Sequence, residues 1–142
     1  MLLNINYSQY TLAKAFIGQA KICKCRGRYR LSNGNIKKNL IKQCEGMLKI
    51  TPYSFVIVYT PNEYCGIVSY PAIDVYALGD KVSCAALSKL HGIKLKKLFE
   101  LLLKCYIGDY RIASGFWGEE RLMNFAREYS IRHSLLLSIL GE

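Results

Sequence analysis

The stretch from Lys21 to Leu31 is KICKCRGRYRL, in which basic and apolar residues alternate. Four cations occupy its even positions, namely Lys24, Arg26, Arg28 and Arg30. Successive side chains of an extended strand point to opposite faces, so the alternation predicts a strand with one basic face and one apolar face that packs on a core. Four like charges at this spacing repel one another, which favours a polyanionic partner.

The charge of the whole chain is concentrated around this stretch. The net charge is +10 over 142 residues, and residues 1–50 hold ten Lys and Arg against the single acid Glu45. Residues 51–80 carry no Lys or Arg and three acids, whereas residues 81–110 have a net charge of +4. A confined basic region indicates a binding face for nucleic acid, with an anionic membrane surface as the other polyanion that the same physics allows. The residues predicted to bind nucleic acid are these four cations together with Lys21, Lys37, Lys38, Lys42 and Lys49, which we call the predicted track.

Length and composition predict one compact unit. The chain is 51% hydrophobic and 21% charged, which is enough apolar material for a globular core. We expect an α+β fold, with a small antiparallel β-sheet in the N-terminal half followed by a helical C-terminal half. The expected division is a basic β-rich domain over residues 1–80 and a helical region over residues 81–142 packed on it.

The segment from Ile36 to Leu48 has two competing interpretations. Its apolar residues fall at steps of four, which favours an amphipathic helix. The preceding Asn33-Gly34 turn signal is equally typical of a hairpin with a second basic strand.

The remaining segments are assigned from local pattern. Residues 11–17 suit a short helix capped by Ser8, and residues 53–60 and 64–70 are rich in β-branched and aromatic residues, which predicts a central hairpin. Further helices are expected over residues 72–78, over 84–90 with Ser83 as the cap, over 93–105, and over about 119–140.

Six cysteines occur, and we expect them to be reduced in an intracellular, cytoplasmic protein, because no signal peptide or apolar span is recognisable in the sequence. Cys23 and Cys25 form the only close pair, but a zinc site needs about four ligands and a second pair is missing. Both are therefore interpreted as core residues, and no metal or cofactor is expected.

Catalytic signals are sparse. Asp74, Asp80 and Lys81 resemble part of the acidic cluster of a metal-dependent nuclease, without the usual Asp/Glu-x-Lys spacing. No phosphate-binding glycine loop or nucleophile elbow occurs. No residue is assigned as catalytic, and a nuclease remains the third hypothesis.

A helix-turn-helix is the alternative interpretation of residues 84–104, with Gly92 at the turn. Its second helix would present Lys94, Lys96 and Lys97 to duplex DNA. Such a regulator, of the kind found in viruses or mobile elements, would dimerise through the apolar C-terminal helix ending in Leu135–Leu137.

Residues 20–75 also resemble the core of the translation initiation factor 1A family. The matching pieces are Gly27-Arg28, Asn33-Gly34 with Lys37-Lys38, Gly46-Met47-Leu48-Lys49, Phe55–Val58 and the segment from Asn62 to Tyr70. The resemblance implies an OB-fold, which is a partly open β-barrel, with RNA as the ligand, and it requires the Ile36–Leu48 segment to be a strand. The leading hypothesis is accordingly a non-enzymatic, RNA-leaning nucleic-acid-binding protein, such as a translation or ribosome-associated factor.

Overall fold

The computed structural model describes residues 2–7, 10–26, 30–32, 39–59, 66–104, 106–109, 111, 119–128 and 134–139. The described strands are β1 (Leu2–Tyr7), β2 (Tyr10–Ile22), β3 (Lys24–Arg26), β4 (Arg30–Ser32), β5 (Ser54–Tyr59), β6 (Ile67–Pro71), β7 (Ile93–Lys94) and β8 (Ser134–Ile139). The described helices are α1 (Leu40–Ile50), α2 (Ala72–Ala77), α3 (Cys84–Leu87), α4 (Leu95–Leu103) and α5 (Glu119–Glu128), with a 3₁₀ turn at Gly79–Lys81.

Six of the described strands form one open, mixed sheet in the order β7-β6-β5-β2-β1-β8, and β3 pairs with β4 in a separate hairpin. The pairs β2–β5 and β1–β8 are parallel, whereas β1–β2, β5–β6 and β6–β7 are antiparallel. The α+β class is confirmed. The predictions of a purely antiparallel sheet and of an OB-like barrel are wrong, because the sheet is mixed and does not close into a barrel.

The strand β5 divides the core into two layers. It is buried on both faces, as its unbroken apolar sequence indicates. Val56 and Val58 pack with α1, α2 and α3 on what we call the front face of the sheet. Phe55 and Ile57 pack with α4 on the back face.

The helix α1 resolves the two interpretations of the Ile36–Leu48 segment. Leu40, Cys44 and Met47 are buried on the front face, so the periodicity in steps of three and four correctly predicts a helix. The helix lies in the connection from β2 to β5, and such a crossover allows the two strands to run parallel. Residues 40–48 are therefore helical, and the strand that the OB-fold requires over them is not formed in this described part of the segment.

One predicted helix is wrong and another is confirmed only in its first half. The segment over residues 11–17 belongs to β2, where Ala15 and Ile17 are buried on the front face and Phe16 on the back face. The helix expected over about 119–140 is formed over Glu119–Glu128, whereas Ser134–Ile139 form the edge strand β8. The C-terminal half is therefore not purely helical, since β7 and β8 complete the sheet at its two edges.

Other local predictions are confirmed. The strands β5 and β6 form the expected antiparallel hairpin, with Val58 opposite Val68. The hydroxyl of Ser83 caps α3 by accepting a hydrogen bond from the Ala86 amide at 3.0 Å. Helix α2 covers most of the expected segment. No helix in the described part of the chain is long and apolar enough to cross a membrane.

A disulfide joins Cys23 to Cys84, with a Cα–Cα distance of 6.0 Å. Both residues are buried in the front layer. For Cys23 this confirms the prediction that the apolar face of the basic stretch packs on the core. The expectation that the cysteines are reduced is wrong for these two. The bond also removes Cys23 from any thiolate metal site. It makes the expected reducing, cytoplasmic location questionable.

Candidate nucleic-acid interface

The basic stretch does not form the single strand that its alternation predicts. Lys21 and Ile22 end β2, Cys23 passes out of the main sheet, and the chain continues into a separate antiparallel hairpin of β3 and β4, here called the basic hairpin. Its register pairs Lys24 with Ser32, Cys25 with Leu31, and Arg26 with Arg30. Directly paired residues share a face, so the backbone places Lys24, Arg26 and Arg30 on one face of the hairpin.

The basic hairpin is fixed to the body of the protein at both of its strands. The Cys23 amide donates a hydrogen bond to the carbonyl oxygen of Tyr59 at 3.0 Å, and the next residue begins β3. The disulfide ties the same cysteine to the start of α3, and α3 in turn lies against β4. The hairpin is thus attached to the front layer through Cys23 and through α3.

Lys21 lies at the end of β2, near Cys44 of α1, and it is half-buried. Burial lowers the pKa of the Lys21 ammonium, and burial raises the pKa of Cys44 to about 11. Cys44 is therefore an inert thiol at neutral pH, and Lys21 adds a partly desolvated cation next to the hairpin.

Two further cations of the predicted track, Lys42 and Lys49, are exposed on α1. The Nζ atom of Lys49 lies 2.8 Å from an Oε1 of Glu45, and this contact lowers the pKa of Glu45 and raises that of Lys49. Lys49 is therefore partly neutralised, whereas Lys42 extends the positive surface of the front layer. Arg28, Lys37 and Lys38 lie outside the described residues.

Two exposed apolar side chains at the base of the hairpin were missed by the sequence interpretation. Ile22 and Tyr59 are register partners at the ends of β2 and β5, with 70% and 37% of their surface exposed. Ile22 occupies an even position of the basic stretch, which is the phase that carries the cations, so the alternation did signal its exposure, whereas Tyr59 ends an apolar run that gave no such signal. Such an aromatic group beside a basic surface is suited to stacking on a base. Tyr29, the aromatic residue that the sequence suggested for this role, lies outside the described part of the chain.

The alternative DNA-binding lysines lie on another part of the molecule. Lys94 closes β7, and Lys96 and Lys97 lie in the first turn of α4, all three exposed. This helix packs on the back face of the sheet, whereas α1 packs on the front face. The hairpin is joined to the front layer through Cys23 and α3, and α1 packs on the same layer, whereas the α4 cations belong to the back layer.

The predicted helix-turn-helix is not formed. Helix α3 has only four residues, and β7 occupies the place of the turn by pairing with β6. Gly92 is needed for close packing rather than for a turn between helices, because a Cβ atom there would lie 2.5 Å from Cγ1 of Val68. The side chain of Glu100 also contacts Lys97 at 3.0 Å and Lys104 at 2.7 Å, which reduces the net charge of α4.

The acidic residues are dispersed. Asp74 is exposed on α2 and Asp80 on the 3₁₀ turn. No group of three or more His, Cys, Asp or Glu residues able to hold a metal ion occurs among the described residues. Asp109 is buried, and its carboxylate accepts hydrogen bonds from Thr51 and Arg111. These bonds indicate that Asp109 stabilises the fold.

Comparisons with protein-family models, with curated proteins and with solved structures found no match to this chain. The geometry and charge of the basic hairpin and its surroundings are therefore the features that indicate a function.

Proposed function

We propose that this protein is a non-enzymatic nucleic-acid-binding protein whose basic hairpin contacts the phosphate backbone. The observation that carries the proposal is the register that makes Arg26 and Arg30 direct partners, with Lys24 two residues from Arg26 on the same face. Like charges directly opposite each other destabilise an antiparallel pair. A phosphate backbone along this face supplies the counter-charge, because cations that neutralise phosphates release condensed counterions.

Single-stranded RNA is the ligand that the surroundings of the hairpin favour. The exposed Tyr59 ring lies where the hairpin leaves the sheet, since its carbonyl oxygen is bonded to the Cys23 amide. Proteins bind unpaired bases by stacking them on aromatic side chains beside a positive groove. In this proposal Lys24, Arg26 and Arg30 position the backbone, Lys21 and Lys42 extend the positive surface, and Tyr59 contacts a base.

The test compares two triple variants that remove the same charge from different layers. The first replaces Lys24, Arg26 and Arg30 with Ala, and the matched control replaces Lys94, Lys96 and Lys97 with Ala. Fluorescence anisotropy would measure the affinity for a single-stranded RNA and for a DNA duplex over a salt series. We expect the hairpin variant to reduce the slope of log K against log salt for RNA by about 2, on the basis of roughly 0.7 per lost phosphate contact.

The control triple variant should leave RNA binding and its salt slope close to those of the wild type. The proposal is wrong if the hairpin variant binds RNA with an unchanged slope. Replacement of Tyr59 by Leu provides a second arm, because loss of stacking should weaken RNA binding at every salt concentration without changing the slope.

Duplex DNA binding through α4 is the second candidate. Its support is the presence of three exposed lysines at the start of α4, where the positive end of the helix dipole disfavours cations in the absence of an anion. This candidate predicts the reverse outcome. The Lys94, Lys96 and Lys97 variant would lose duplex binding, and the hairpin variant would keep it.

A further inference from the structure

The strand β8 forms one edge of the main sheet. It pairs in parallel with β1 from Leu2↔Ser134 to Tyr7↔Ile139, and no strand within the described ranges pairs with its other side. The outer side of such a strand carries a row of backbone N–H and C=O groups, which is a template for pairing with a further strand.

The two edges of the sheet differ in how well they are protected from pairing with a further strand. The opposite edge, β7, has only two residues, one of which is Lys94. Short length and an edge lysine are devices that discourage pairing between sheets. In contrast, β8 has six residues, SLLLSI, with neither charge nor proline. The contrast indicates that β8 is an edge suited to pairing.

The sequence of β8 is self-complementary for antiparallel pairing. Ser134-Leu135-Leu136-Leu137-Ser138 is the same in both directions. An axis through Leu136 that relates two copies would therefore place Ser134 opposite Ser138, Leu135 opposite Leu137, and Leu136 opposite its own counterpart. Isologous interfaces with twofold symmetry are the commonest among soluble oligomers, and cross-strand pairs of apolar residues stabilise them.

Charge also permits a second copy at this edge. Although the chain carries +10, the segment from Ser134 to Leu140 carries no charged residue, and most of the positive charge lies in residues 1–50. Two copies can therefore approach along β8 without placing charged residues of this segment against each other, whereas an approach of two basic hairpins would be repulsive.

We propose that a second copy of this chain pairs with β8 in antiparallel fashion about a twofold axis through Leu136, joining the two sheets into one continuous sheet. The contact element of the dimer is thus an edge strand, in place of the apolar helix that the sequence predicted. The inference is independent of nucleic-acid binding.

A charge-pairing experiment tests this register. In the variant Ser134→Lys/Ser138→Lys, the proposed axis places lysine opposite lysine at two places, whereas Ser134→Glu/Ser138→Lys places glutamate opposite lysine at the same places. Sedimentation equilibrium should find a dimer for the wild type, a dimer dissociation constant at least tenfold higher for the double-lysine variant, and recovery for the mixed variant. A monomeric wild type overturns the proposal, as does equal weakening of the dimer by both variants.

Cysteine cross-linking provides a second measurement that adds no charge to the strand. Leu136→Cys should form a disulfide between copies under a mild oxidant, because residues directly opposite each other have Cα atoms about 4.5–5.5 Å apart. The matched variant Leu135→Cys should cross-link far less, since its partner in the proposed register is Leu137. Peptide mapping would identify the linked residues. Equal cross-linking at the two positions, or none at Leu136→Cys, contradicts the register.

Discussion

At the scale of single residues, Asp109 connects three segments of the fold. Only 3% of its surface is exposed, and its backbone exchanges hydrogen bonds with Ala15 of β2 at 2.8 and 3.2 Å. Its carboxylate accepts hydrogen bonds from the Thr51 hydroxyl at 2.8 Å and from the Arg111 guanidinium at 2.9 and 3.1 Å. The Arg111 bonds are the main cause that lowers the pKa of Asp109 from 3.8 to about 2, against the opposing effect of burial.

This pKa shift predicts that stability depends on pH below neutrality. Because the pKa is lower in the folded protein, the ionised carboxylate stabilises the fold above about pH 4, and that contribution disappears as the pH falls towards 2. A shift of this size corresponds to about 2 kcal/mol. We expect Asp109→Asn to lower the free energy of unfolding by about this amount at pH 7 and to flatten its pH dependence, as measured by urea denaturation.

Glu100 provides the control for this prediction. The bonds from Lys104 and Lys97 also lower its pKa to about 2, but these groups lie at the surface, where salt screens the interaction. Glu100→Gln should therefore change the pH profile far less than Asp109→Asn does. Similar profiles for the two variants would contradict the assigned role of the buried carboxylate.

At the scale of elements, the disulfide holds the end of β2 against α3 and closes a loop with a sequence separation of 61 residues. Chain entropy predicts that a bond closing such a loop stabilises the folded protein by about 4 kcal/mol. We expect a reductant to lower the midpoint of urea unfolding for the wild type. The variant Cys23→Ala/Cys84→Ala should start from a lower stability and should not respond to the reductant.

The state of these two cysteines also tests the proposed compartment. Alkylation of the protein without prior reduction, followed by peptide mass spectrometry, should leave Cys23 and Cys84 unlabelled. Labelling of both thiols in protein taken directly from cells would contradict an oxidised pair and would support the reducing location that the sequence suggested.

Two glycines predict opposite effects of the same substitution. Gly46 is an exposed residue of α1, and a Cβ atom there would meet no atom within 4 Å. Gly46→Ala should therefore stabilise the protein by about 0.5–1 kcal/mol through helix propensity alone. Gly108 has a φ of +107°, and a Cβ atom there would lie 2.8 Å from Cδ1 of Leu102, so Gly108→Ala should be destabilising. Thermal unfolding should give a higher melting temperature for Gly46→Ala and a lower one for Gly108→Ala than for the wild type. A lower melting temperature for Gly46→Ala would contradict the prediction.

The same elements indicate why sequence interpretation was only partly successful. Helix α1 was predictable because its apolar periodicity matches the face that it buries, and the β5–β6 hairpin because its strands are rich in β-branched and aromatic residues. Residues 11–17 and 134–139 contain Ala or Leu that suit a helix equally well. Pairing with the adjacent strand β1, which the sequence analysis did not identify, makes the first segment part of β2, and pairing with β1 at the far end of the chain makes the second β8. Local propensity carries no information about such partners.

At the scale of the whole molecule, the basic positions were predictable but their grouping was not. Charge counting placed most of the excess positive charge in residues 1–50, and the structure assigns the described basic residues of this part to β2, the hairpin and α1. The opposition of Arg26 and Arg30 depends on the register in which β3 pairs with β4, which strand alternation alone does not specify. The separation of these cations from those of α4 depends on which face of the sheet each helix covers.

This charge distribution predicts that salt stabilises the free protein. A net charge of +10 favours expansion through self-repulsion, and screening shortens the range of that repulsion from about 30 Å at 0.01 M salt to about 8 Å at 0.15 M. We expect the melting temperature, measured by calorimetry, to rise by a few degrees over this range, at about 2–4 °C per kcal/mol.

The location of the repulsion can be tested with two double variants that remove the same charge. Arg26→Gln/Arg30→Gln removes the opposed pair of the hairpin, and Lys94→Gln/Lys96→Gln removes two exposed cations beside α4. Directly opposed like charges cost about 0.2–1 kcal/mol, so the hairpin variant should melt higher at low salt and should respond less to added salt. The α4 variant should keep most of the response. If both variants lose the response equally, net charge alone causes the effect, and the hairpin register then provides no evidence of a surface that requires a polyanion.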